Sequence, residues 1–61
     1  MNIGDIVQVI NPSSTLKGYK GRVVMIAPNE IPPVFIVEIR KLGNQQLAFE
    51  EGELKVERKG R

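Results

Sequence analysis

The chain has 61 residues, nine Lys and Arg against seven Asp and Glu, a formal net charge of +2, and neither cysteine nor histidine. That length allows one domain with one small core, and the missing residue types exclude disulfides and the usual zinc ligands. The mild charge is below what a DNA-coating protein carries, and no stretch approaches the ~20 apolar residues that span a bilayer.

The opening MNIGDIVQVINP lacks a basic leader and a long apolar run, so the expected setting is cytoplasmic, without membrane insertion. Gly4-Asp5 is a turn, and the first strand covers about Asp5 to Ile10, with Val7 and Val9 on one face. Pro12-Ser13-Ser14-Thr15 is turn chemistry, because hydroxyl side chains bond nearby backbone. Lys17-Gly18-Tyr19-Lys20-Gly21 is a tight, positively charged corner that delivers the chain into a second strand, about Gly21 to Ala27. Gly18 and Gly21 serve that corner and a close approach of strands, since no helix follows to make a phosphate-cradling loop. Val23 to Ile26 is apolar without alternation, which means either that both faces are covered or that a bulge shifts the register.

Pro32 and Pro33 lack the amide protons a ladder needs and act as a spacer between strands. The third strand runs from Val34 to Lys41 with the clearest period of two in the chain: Phe35, Val37 and Ile39 face one way, Ile36, Glu38 and Arg40 the other. Leu42-Gly43-Asn44 is a hairpin turn in which Gly43 or Asn44 takes positive φ. Gln45 to Glu50 is the fourth strand, with Leu47 and Phe49 inward. Glu51-Gly52-Glu53 suits one 3₁₀ turn, and Leu54 and Val56 open a short last strand. The division is therefore a folded unit over 1–57 and a flexible basic tail over 58–61. Five short strands in an open sheet leave two exposed edges, which closure into a small barrel reduces.

The candidate functional residues fall into two groups. Lys17, Tyr19, Lys20 and Arg22 combine charge for phosphate contacts with an aromatic face for stacking, and Lys55, Arg58, Lys59 and Arg61 form a second basic cluster. Ile6, Ile10 and Ile36 lie opposite the core and mark a protein interface. Glu50, Glu51 and Glu53 are a solvated face. No serine stands beside a candidate base, so no catalytic, metal or cofactor residue is assigned.

Gly4-Asp5, Val7, Val9, Lys17-Gly18, Gly21, Val23 and Ile26 together resemble a KOW motif, as found in ribosomal proteins and NusG-type transcription factors. Val34 to Glu38 is similar to the strand that follows the motif, and Phe49, Glu53-Leu54 and Val56 resemble the closing turn and strand of such folds. The same skeleton is similar to small barrels such as the photosystem I accessory subunit. The resemblance implies an all-β, five-stranded SH3-like small barrel with one 3₁₀ turn before the last strand. It also implies a non-enzymatic binding module. The loop 11–16 carries no charge, so the leading expectation is an accessory subunit that docks onto a larger protein complex or self-associates through Ile6, Ile10 and Ile36. The alternative is RNA binding through the corner of Lys17, Tyr19, Lys20 and Arg22.

Overall fold

Alternation sets the first strand, β1 (Ile6–Val9), in which Val7 and Val9 are buried and Ile6 and Gln8 are half-buried. The computed structural model describes residues 1–60. Gly4 enters β1 at φ 97°, a conformation that only glycine adopts cheaply. The loop that leaves β1 is built by its short polar side chains. Asn11 Oδ1 accepts from the Ser13 amide at 3.0 Å, and Ser14 Oγ accepts from the Leu16 amide at 3.0 Å. These turns bring Leu16 and Tyr19 against the core as partly buried residues.

The second strand, β2 (Lys20–Ala27), follows, and the two corner glycines have different tasks. Gly18 takes φ 93° in open space, and its amide donates to the Val9 carbonyl at 2.8 Å. Gly21 is needed for approach: a Cβ there would lie 2.5 Å from the Glu38 carbonyl oxygen and 2.6 Å from Val37 Cγ1. The register then shifts between Val23 and Met25, so Val24 is the extra residue of a bulge. Of the two explanations for the unbroken apolar run, the bulge is the one realised. It turns Val23 into the core and leaves Met25 58% exposed.

The third strand, β3 (Val34–Ile39), buries Phe35, Val37 and Ile39 in strict alternation. It stops two residues before the expected Lys41. Arg40–Leu42 forms a 3₁₀ turn, and both Gly43 (φ 71°) and Asn44 (φ 62°) are left-handed. The Gly43 amide closes that turn on the Arg40 carbonyl at 3.0 Å, which draws Arg40 and Lys41 out of the ladder. The fourth strand, β4 (Gln45–Glu50), has the expected bounds, as does the 3₁₀ turn Glu51–Glu53. Glu53 caps that turn, its carboxylate accepting from the Glu50 amide at 2.9 Å and from Asn11 Nδ2 at 3.1 Å.

The last strand, β5 (Leu54–Arg58), includes Arg58, which had been assigned to the tail. Arg58 pairs with Ile6, and the Gly60 amide is held by the Asp5 carboxylate at 2.8 Å, while Arg61 lies outside the described residues. All pairings are antiparallel in the order β4–β3–β2–β1–β5. Among the described residues no ladder joins β4 to β5, so backbone hydrogen bonding does not close the sheet. The core comprises Val7, Val9, Val23, Phe35, Val37, Ile39, Phe49 and Leu54, so each strand contributes to it.

Candidate functional site

Strand pairing places cations on the outer face of β2, β1 and β5. Ile6 lies between Arg22 of β2 and Arg58 of β5, and one step along, Gln8 lies between Lys20 and Lys55. The first row forms a cleft of about 320 Å³ lined by Gly4, Ile6, Arg22, Arg58, Lys59 and Gly60. Adjacent strands are about 4.8 Å apart, so the Arg22 and Arg58 backbones stand roughly 10 Å apart with Ile6 as the floor between them. Both guanidinium groups are permanently charged and carry forked donors suited to oxyanions.

The wall at Gly60 is held from behind. Asp5 is only 3% exposed, and its carboxylate accepts from the Gly60 amide at 2.8 Å and the Asn2 amide at 2.8 Å. Those two amides, Gly60 first, hold its carboxyl below the usual carboxylate range, against the opposing effect of burial. Gly60 meets Gly4 so closely that a Cβ on residue 60 would lie 2.2 Å from the Gly4 carbonyl. Gly4 and Gly60, near the two ends of the described chain, thus abut on the lining of the cleft.

A second cleft of about 370 Å³ is lined by Gly18, Tyr19, Lys20, Arg40 and Lys41. Here the 3₁₀ turn after β3 brings two cations to the corner that precedes β2. Tyr19 stands with its body against the core and its remaining surface on this cleft. Lys20 Nζ is 3.7 Å from Glu57 Oε1, the one ion pair within 4.0 Å among the described residues. It is solvent-exposed on the lysine side, so it contributes little and yields readily to a competing anion. Arg22 and Arg58 have no carboxylate at that range among the described residues.

The four residues of the basic corner are therefore divided. Tyr19 and Lys20 line the second cleft, Arg22 lines the first, and Lys17 is exposed and lines neither. Sequence reasoning treated Arg58 and Lys59 as a separate cluster and assigned no role to Lys41 or Arg40. Among the described residues three cations line each cleft, six of the chain's nine, and no carboxylate lines either. The one signal that pointed this way was strand periodicity, which placed Arg40 on the outward face of β3.

The three isoleucines assigned to an interface are not neighbours in the sheet. Ile6 is the floor between two arginines, and Ile10 follows β1 with its amide on the Glu53 carbonyl at 2.9 Å. Ile36 lies between Met25 and Ala48, with the pair Val34 and Ala27 further along the same strands. Met25 was missed because a bulge, not alternation, exposes it.

Glu53 is committed to its two hydrogen bonds, and these, the Glu50 amide first, keep its carboxyl below its ordinary value. Among the described residues no three potential metal ligands come together, and no helix is long and apolar enough to cross a membrane. Compared with family models, curated proteins and solved structures, the chain matches none.

Proposed function

We propose that this chain is a non-enzymatic binding module, an SH3-like small barrel, that takes single-stranded nucleic acid across its cationic face. The barrel reading is supported by a core drawn from all five strands and by the 3₁₀ turn that carries β4 into β5. The partner reading is carried by one observation: six cations from β2, β5, the residue after β5 and the turn after β3 line two clefts that, among the described residues, no carboxylate lines. Backbone phosphates supply most of the affinity in such a contact, and Tyr19 adds a surface on which one base can stack. With Tyr19 the one aromatic among the described residues that line the clefts, and stacking tolerant of every base, binding is largely independent of sequence. The module needs no cofactor and acts in the cytoplasm.

The test is titration of a labelled single-stranded RNA at low salt, read by fluorescence anisotropy. Wild type binds, and Arg22→Glu and Lys41→Glu each weaken binding at least several-fold. Absence of low-salt binding would sink the reading.

A second reading, an accessory subunit docked on a larger protein complex, is favoured by the aliphatic cluster of Met25 and Ile36 on the outer face of β2 and β3. Met25 is exposed beside the half-buried Ile36, and apolar surface of this kind marks interfaces. Under it, Met25→Asp abolishes capture of a partner that the wild-type chain retains from its native cell. Capture that ignores the substitution, together with monomeric sedimentation, argues against it.

A further inference from the structure

We infer that the cleft between Arg22 and Arg58 is a subsite for one phosphate monoester, the 5′-terminal phosphate of a nucleic-acid strand, and that the Asp5–Gly60 hydrogen bond holds one wall of it. The inference rests on the nucleic-acid reading and assigns a distinct task to one of the two clefts.

Three features of the cleft carry it. Arg22 and Arg58 rise from strands on either side of β1 and line one cleft with Ile6 between them and Lys59 also on its lining. Three cations on one cleft exceed what an internal phosphodiester, with one charge, neutralises. A terminal phosphate carries roughly −1.5 to −2 at neutral pH and offers three acceptor oxygens to forked guanidinium donors. Gly60 and Gly4, in close backbone contact, also line this cleft, and a backbone wall there favours a strand end over a strand that passes through. The second cleft has Tyr19 as a stacking surface, and it suits the following nucleotides.

The wall depends on a carboxylate that never touches the ligand. The Gly60 amide is spent on Asp5 Oδ1, and Asp5 is buried behind it. That bond fixes where β5 ends and thereby where Arg58 and Lys59 stand. Asp5 is a positioning residue for the site.

The test compares one short RNA carrying a 5′-phosphate with the same RNA carrying a 5′-hydroxyl. One additional charge-assisted contact is worth roughly a tenfold gain in affinity, which is the expected preference for the phosphorylated end. Arg22→Gln and Arg58→Gln each abolish the preference, whereas Lys41→Gln weakens both RNAs alike and keeps it. Gly60→Ala, which drives a methyl group into the Gly4 carbonyl, reduces the preference without changing any charge. Arg22 and Arg58 are exposed, so their substitutions leave the core intact and decide the matter even if Gly60→Ala does not fold. Equal affinity for the two ends, or a preference that survives both arginine substitutions, overturns the inference while leaving general RNA binding standing.

Amide shifts on titration with adenosine 5′-monophosphate, adenosine and inorganic phosphate separate the sources. The monophosphate moves Arg22, Arg58 and Gly60, and adenosine does not. If inorganic phosphate alone moves them as strongly as the monophosphate, the cleft is a free-phosphate site and the strand-end assignment fails. If neither RNA binds and none of these amides moves, the nucleic-acid reading and the subsite fall together.

Discussion

A methyl group at position 21 would sit inside the contact distance of the Glu38 carbonyl, because β2 crosses β3 there without room for a side chain. Gly21→Ala is therefore expected to destabilise the fold by about 1–3 kcal/mol, the usual range for overpacking, as read by urea denaturation. An unchanged midpoint would mean that the strands separate easily at this point. Asp5 gives a second residue-scale expectation. Its carboxyl is depressed by the Gly60 and Asn2 amides, with smaller contributions from the terminal amine and Lys59. A depressed acid stabilises the folded state above its unfolded value, near 3.9, and that stability is lost as pH falls through the lower folded value. Glu53 acts in the same direction. Acid unfolding of the wild type should show this loss below about pH 4, and Asp5→Asn should flatten it. An Asp5→Asn profile parallel to the wild type would contradict the role given to that carboxylate.

At the scale of elements, the bulge in β2 separates two residues that look alike in sequence. Val23 is fully buried and Met25 is 58% exposed. Val23→Ala should cost roughly 2 kcal/mol, while Met25→Ser should stay within about 0.5 kcal/mol of wild type. Equal effects would contradict the register. This is also where the sequence was least legible. Strict alternation made Phe35, Val37 and Ile39 readable as core, and β4 and the Glu51–Glu53 turn could be bounded from local pattern alone. A bulge breaks the period on which such reading depends, so Val23 to Ile26 left two solutions open. The end of β3 was misread for a related reason. Arg40 continues the alternation, but Lys41 would fall on the inward face, and the left-handed pair Gly43 and Asn44 requires a tighter turn that begins earlier. The aliphatic face was assigned to Ile6, Ile10 and Ile36 because periodicity shows which way a residue points, not what stands beside it. Only strand pairing shows that Ile6 has arginines as neighbours and that Ile36 has Met25.

For the whole molecule, the proposed function rests on where the sheet brings distant cations. Arg22 and Arg58 stand far apart in sequence, and both pair with Ile6 because β1 runs between β2 and β5. A net charge of +2 conceals this arrangement, since the acidic residues that offset the cations line neither cleft. That is why composition alone pointed to a protein partner, whereas the arrangement of the cations motivates the nucleic-acid proposal. The claim is tested most directly by the salt dependence of binding to a single-stranded RNA. Each phosphate neutralised contributes about −0.7 to the slope of log affinity against log salt, so six cleft cations correspond to a slope of roughly −4. A slope near that value, falling by about 0.7 for each cleft cation replaced by glutamine, is the predicted result. A slope near zero, or one indifferent to Arg22, Arg58 and Lys41, would contradict the account.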